Sequence, residues 1–357
     1  MPITLTQTKH YQATARLRKY ILRLPAGDTV PVVADLTAMF DCSHGTAVRA
    51  LQALADEGLI MRPPRKQRYR VTRHVPCASA RIAMVRPDFP SSSIENLQRG
   101  IFLQGKSRNW KFSFFSYRNA DELDFDRIAA VSDAMVLIPA SEEIPQLLID
   151  RMLEMGKPIV VLMEHIDHPA ICNVAADDAA FGRLAARKLR QCGYRRVLLI
   201  KDQPAESTMA LRIAGYRNEA ARLGLPVSDE LFLDTKLRPF EDCREKLQSG
   251  FAEILRSGVR FDAVLCLTMD AAIVVHRLLL ASGRRIPQDA GLLAYGGENN
   301  IAEFFTPPIT TFSIDLDSGM AAAAELLAER LDGQPRPASV RLMTPFLEER
   351  ETLRRAT

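Results

Sequence analysis

The chain has 357 residues, 47% of them apolar and 25% charged, with a net charge of +4. That length exceeds one ordinary core and suits a small domain joined to a larger one. No apolar run reaches the roughly eighteen residues of a membrane span, and the opening MPITLTQTKHYQ lacks a signal-peptide core, so the sequence predicts a cytoplasmic chain.

Charge is unevenly spread. Residues 1–75 hold twelve Lys or Arg against five Asp or Glu, a net +7, which leaves −3 for the remainder. A basic head on an acidic body points to a polyanionic partner for the head. The six cysteines, Cys42, Cys77, Cys172, Cys192, Cys243 and Cys266, include no CxxC pair. They read as reduced thiols rather than a zinc site or a disulfide framework.

His10 to Leu24 reads as a helix, with Leu17, Ile21 and Leu24 at helical spacing, and Pro25 to Asp28 breaks it. Val33 to Phe40 forms a second, short helix, and Asp41-Cys42-Ser43 a tight turn. Ser43 is a candidate N-cap for a third helix that runs to about Glu57, with Gly58 as its stop. Its apolar stripe is Ala47, Val48, Leu51, Leu54 and Ala55; Gly45, Arg49 and Gln52 lie opposite, with His44 beside them. Small and hydrogen-bonding residues at a helix start can approach base edges and phosphates. Leu59-Ile60-Met61 and RPPRKQRYRV then suggest a two-stranded wing decorated by Arg62, Arg65, Lys66, Arg68 and Arg70.

Thr72 to Ala80 lacks periodicity and reads as a linker, which sets expected domains at 1–72 and 81–357 with a 73–80 connection. Beyond it, strand-like runs at 81–86, 111–116, 134–138, 158–163, 196–200, 263–267 and 291–295 alternate with amphipathic stretches at 93–107, 121–130, 144–156, 178–192, 207–223 and 269–282. Such alternation predicts an α/β fold with parallel sheets covered by helices, divided into two lobes. Ligands of open α/β sheets bind at the carboxyl ends of the strands. The loops to watch are therefore 87–93, 164–168, 269–270 and 296–300.

The order helix, helix, SHGTAVRALQALADEGLI and basic wing resembles the GntR-type winged helix-turn-helix. The likeness rests on Ser43, Thr46, Arg49-Ala50-Leu51 and Glu57-Gly58-Leu59, and it implies that Ser43, His44, Gly45, Thr46 and Arg49 meet DNA, flanked by Arg62, Arg65, Lys66 and Arg68. Ala34 stands where the family has a DNA-contacting Arg, Val48 replaces a frequent recognition-helix Arg, and the wing lacks the family's glycine.

The body is similar to the sensor domain of LacI/GalR-type regulators, itself like periplasmic sugar-binding proteins. The matching stretches include IAMVRPDFP, GKPIVVLME, NVAADDAAFGRLAARKLRQCGYRRVLLI, RIAGYRNEAARLGL and FDAVLCLTMDAAIVVHRLLLASGRRIPQDAGLLAYGG. A GntR-type head on such a body resembles the arabinose-repressor-like architecture. The resemblance implies effector contacts from Arg212, Glu164 with His165, Asp88, Ser91 and Ser92, Met269 with Asp270, and Gly296 with Glu298. Met269 and Gly296-Gly297 replace polar residues that the family uses on sugar hydroxyls, which suggests a less polar or differently substituted effector, or vestigial binding.

Other motifs carry blander readings. Glu164, His165, Asp167 and His168 read as a ligand-facing loop rather than a metal site. Asp177-Asp178 reads as a helix cap and dipole partner rather than a catalytic pair, and Trp110 as core. No GxGxxG, Walker motif or nucleophile elbow occurs, and no cofactor is expected. The sequence thus predicts a homodimeric, sequence-specific DNA-binding transcription regulator, a repressor of double-stranded operator DNA, modulated by a sugar or sugar-like effector. An effector-independent regulator with a scaffold body is the alternative, and an α/β enzyme a remote one.

Overall fold

A computed structural model gives the architecture. It describes all residues except 1–8, 22–23, 25–26, 57–58, 63–67, 73–79, 89–90, 141–143, 205–206, 239–240, 297–299, 333–338 and 355–357. Two compact units result: Met1–Ala80 with Gly105–Lys111, and Arg81–Gln104 with Phe112–Thr357.

The N-terminal unit holds three helices, α1 (Lys9–Ile21), α2 (Val33–Phe40) and α3 (His44–Asp56), and an antiparallel pair, β1 (Ile60–Met61) with β2 (Arg70–Val71). Leu17, Ile21, Leu36, Ala47, Leu51, Leu54, Leu59, Ile60 and Val71 form its core. Asp41 ends α2 in the left-handed region at φ 46°, which short Asp side chains tolerate, and so turns the chain into α3. Ser43 caps α3, its Oγ accepting from the Thr46 amide at 3.3 Å. Val48 departs from the expected apolar stripe. It is 42% exposed, on the outer face of α3.

The larger unit contains two six-stranded sheets. In chain order its elements are β3 (Arg81–Pro87), α4 (Ser92–Ser107), β4 (Lys111–Tyr117), α5 (Phe125–Val131), β5 (Ala134–Leu137), α6 (Gln146–Glu154), β6 (Ile159–Leu162) and β7 (Ile171–Ala176). They continue through α7 (Asp178–Gln191), β8 (Val197–Lys201), α8 (Ser207–Arg222), β9 (Phe232–Asp234), α9 (Cys243–Ser257), β10 (Ala263–Cys266), α10 (Met269–Ala281), β11 (Gly291–Tyr295) and β12 (Thr310–Ser313). α11 (Leu316–Leu331), β13 (Val340–Met343) and β14 (Phe346–Glu348) complete them.

One sheet runs β13-β7-β6-β5-β3-β4 and the other β14-β12-β11-β10-β8-β9. The central pairings β3–β5, β5–β6, β6–β7, β8–β10, β10–β11 and β11–β12 are parallel, and β12–β14 is antiparallel. Central strands buried on both faces need apolar side chains throughout, which is why AMVL, IVVL and AVLC show no alternation. The chain passes between the sheets after β7, after β12 and between β13 and β14. Two lobes thus share three connections. One crossing is pinned where the Asp177 amide donates to the Met343 carbonyl at 2.9 Å.

No helix among the described residues is long and apolar enough to cross a membrane. The described cysteines, Cys42, Cys172, Cys192, Cys243 and Cys266, are all free thiols; Cys77 lies outside the described residues.

Candidate functional site

The head presents one polar helix face. His44, Gly45, Arg49 and Gln52 are exposed on α3, and a Cβ built on Gly45 meets nothing within 4 Å. Arg49 Nε donates to the Gly45 carbonyl at 3.2 Å, which lays the guanidinium along the start of the helix. Thr46 differs from expectation: it is buried, and its hydroxyl pairs with Ser43 Oγ at 2.9 Å. Its place is in the capping turn, and the face consists of its neighbours. Arg62 and Arg68 are exposed at the wing base, with the Arg62 guanidinium 5.5 Å from the Tyr69 ring centre. Arg65 and Lys66 lie outside the described residues.

The body holds an inner cavity of about 260 Å³ between its lobes. Its wall is built from the carboxyl ends of strands in both sheets: Ser91 and Ser93 beyond β3, Pro139 beyond β5, Met163 and Glu164 beyond β6, Gln203 beyond β8, Thr268 to Asp270 beyond β10, and Tyr295-Gly296 of β11. That is where open α/β sheets hold ligands. Glu164 also lines an adjoining outer cavity of about 780 Å³, together with His165, Asp167, His168, Lys201, Ser207 and Asp234. Across the boundary between the lobes, Ser207 Oγ donates to a Glu164 carboxylate oxygen.

Arg212 is the cationic feature of the inner wall. It is buried, its Nε donates to Asp178 at 2.6 Å, and its Nη1 donates to the Leu267 carbonyl at 2.7 Å. Its guanidinium carbon lies 3.8 Å from the Tyr295 ring centre. Burial pushes the Asp178 carboxyl above its ordinary range, and the guanidinium pulls it back only in part. The expectation for Asp178 is thereby corrected. Asp177 alone caps α7, accepting from the Ala180 amide at 2.8 Å, while Asp178 turns inward to Arg212.

Two glycines make that pair possible. A Cβ on Gly182 of α7 would lie 2.3 Å from the Arg212 carbonyl, and one on Gly215 of α8 would lie 2.3 Å from the Ala179 carbonyl. Only bare backbone lets the two helices approach closely enough for Asp178 to reach Arg212.

Other groups frame the wall. Thr268 caps α10 by accepting from the Ala271 amide at 3.1 Å, and its hydroxyl donates to Asp202 at 2.6 Å. Burial pushes the Asp202 carboxyl up to about 6, against the opposing pull of that hydroxyl. Asn173, buried in β7, holds the loop that follows β6: its Oδ1 accepts from the Ile166 amide at 2.9 Å and its Nδ2 donates to the Ile166 carbonyl at 3.0 Å.

Of the residues expected at an effector, Ser91, Glu164, Arg212, Met269, Asp270 and Gly296 line the inner cavity, and His165 the outer one. Asp88 stands on neither wall and pairs with Arg118 at 3.5 Å. Glu298 and the Ser92 side chain lie outside the described residues. Sequence reasoning missed Thr268 on the wall, and Asp178 and Asp202 behind it as the partners of Arg212 and Thr268. Trp110 is buried and touches neither cavity. Among the described residues no group of three or more His, Cys, Asp or Glu side chains converges as metal ligands would.

Residues 168–353 match the periplasmic binding protein-like domain family, and residues 10–68 match the bacterial regulatory proteins of the gntR family. The HTH-type transcriptional regulator CelR of Thermobifida fusca is 28% identical over 182 residues, 50% of this chain and 49% of that protein. The sucrose operon repressor of Escherichia coli is 26% identical over 197 residues, 53% of this chain and 58% of that protein. The chain thus spans roughly half the length of these curated relatives. Among solved structures, the CelR–cellobiose complex superposes with a TM-score of 0.66 at 20% identity, covering 90% of this chain and 100% of that one. A LacI family regulator from Enterococcus faecium with bound ribose superposes with a TM-score of 0.66 at 20% identity, covering 77% of this chain and 98% of that one. At such identities the likeness concerns the fold. The first match takes in more than half of the chain, which therefore belongs to the periplasmic binding protein-like family and carries a gntR-type winged head before that body.

Proposed function

We propose that the chain is a transcription regulator, a repressor, whose head binds double-stranded operator DNA and whose body senses a small polar effector, a sugar or sugar derivative, between its lobes. The observation that carries the reading is the cavity wall built from strand ends of both sheets, on the same chain as an exposed α3 face with His44, Gly45 and Arg49. CelR with cellobiose and the Enterococcus faecium regulator with ribose support the effector class. An effector held by both lobes stabilises one lobe arrangement over others, and operator affinity then responds by reciprocal linkage. Such couplings typically amount to about 1–3 kcal/mol.

The working form is a cytoplasmic homodimer, because two heads on a two-fold axis fit two half-sites. Support comes from an exposed aromatic patch on α4 and the edge strand β4. Phe102 and Phe114 are each about half exposed and flank Phe112 at 5.5 and 6.3 Å between ring centres. A second copy covering such a patch removes apolar surface from water.

A second reading keeps the DNA role without an effector. It is favoured by Met269 and Gly296, which offer no polar side chain at the wall, and by the contacts of Arg212 to Asp178 and Leu267. Melting temperatures of the full chain against a sugar library separate the two, since a ligand of the native state raises them. A hit that also alters affinity for the DNA upstream of the gene supports sensing. A library without hits, on a chain that still binds that DNA, supports the scaffold.

A further inference from the structure

We infer that the effector carries a positive charge: a small hydroxylated molecule bearing a protonated amine, of amino-sugar size. This rests on the sensing role proposed above and concerns the same inner cavity.

The argument is a charge balance. Among the described residues, three charged side chains line the inner wall: Glu164, Arg212 and Asp270. Arg212 is already neutralised by Asp178 at 2.6 Å, both groups being buried. Glu164 accepts hydrogen bonds from the Ser207 hydroxyl and the His165 amide, and no Lys or Arg pairs with it among the described residues. No Lys or Arg pairs with Asp270 among them either, and burial pushes its carboxyl above the ordinary range. In the outer cavity Lys201 is matched by Asp234 at 3.1 Å, and Asp167 lies with His165 and His168.

Asp202 adds a further carboxyl behind that wall. It is 1% exposed and bonded to the wall residue Thr268, and its Oδ1 has no hydrogen-bond partner among the described residues.

The start of α10 faces the same space, but a helix N-terminus supplies only about half a charge, fading within one turn. Asp270 in that first turn already offsets it. An anionic sugar phosphate or sugar acid would meet carboxylates without a free guanidinium or ammonium. A neutral sugar would leave Glu164 without a countercharge, and Asp270 with only the partial charge of the helix start, where water is displaced. An ammonium group supplies the missing charge and three donors.

Matched sets test this on the full chain: glucose, galactose and mannose, their 2-amino-2-deoxy forms, and their 6-phosphates, with putrescine and spermidine as amines lacking a ring. Binding is read by calorimetry and by the change in affinity for upstream DNA. The expected result is that one amine-bearing compound binds at least about tenfold tighter than its neutral counterpart. In Asp270→Asn, and separately in Glu164→Gln, that preference shrinks at least severalfold while DNA binding by the free protein persists, which shows that the variants fold. If a neutral or phosphorylated member binds best, the positive charge is overturned and sensing stands. If nothing binds or alters DNA affinity while the chain still binds its DNA, the sensing role itself fails, and this inference with it.

Discussion

Arg212 on α8 donates to Asp178 at the start of α7 across 2.6 Å, with both side chains almost wholly buried. This pair ties together the two helices of the second lobe that pack most tightly, and it sets the guanidinium against the Tyr295 ring at the cavity wall. Removing one partner of such a pair leaves the other charge buried and unmatched, which costs about 3–5 kcal/mol. Asp178→Ala should therefore lower unfolding free energy by roughly 3 kcal/mol. Urea denaturation checks it; a loss under about 1 kcal/mol would mean that solvent reaches the guanidinium after all.

Gly215→Ala tests the close approach beneath that pair. The added methyl would sit 2.3 Å from the Ala179 carbonyl, a backbone atom that moves only with α7. Overpacking of this kind costs about 1–3 kcal/mol. Gly45→Ala is the contrast, because its Cβ meets open space within α3, where Ala gains up to about 1 kcal/mol of helix propensity. Thermal unfolding of both variants should move in opposite directions.

Stability should depend on pH through Asp202. Its carboxyl titrates near 6 when folded and near the ordinary 3.8 when unfolded. Between these values the folded chain holds the extra proton, so this contribution is full below about 3.8 and is lost as pH rises through about 6. Across that window it amounts to about 3 kcal/mol. Asp202→Asn should match the parent chain near pH 4 and exceed its stability near pH 7.5, by urea midpoints. Equal midpoints at both pH values would remove Asp202 as the cause.

Phe114→Asp should shift the chain from dimer to monomer in light scattering, because it places a charge in the exposed aromatic patch on β4. A variant dimer of unchanged affinity would place the two-fold interface elsewhere.

Much of this was legible from residue order. α2 and β11 fall where periodicity puts them, since each carries a strong pattern between turn residues. β7 carries no strand pattern, because ICNVAA mixes small residues with a buried Asn173 whose bonds go to a loop. β9 and β14 are three residues each, too short for a period to register. Val48 and Thr46 exchange their expected roles because helical spacing leaves stripe edges ambiguous, and the Ser43 hydroxyl draws Thr46 inward. Asp178 and Arg212 are 34 residues apart, and nothing local shows that α7 and α8 touch through glycine.

Sequence-specific binding by the α3 face is the claim on which regulation depends. A duplex selected from a random pool by the full chain, titrated by fluorescence anisotropy at several salt concentrations, puts it to the test with the variant His44→Ala, Arg49→Ala. The prediction is a loss of at least about tenfold on the selected duplex and little change on a scrambled one, the pattern of lost base contacts. Equal binding of both duplexes by parent and variant alike would contradict the account.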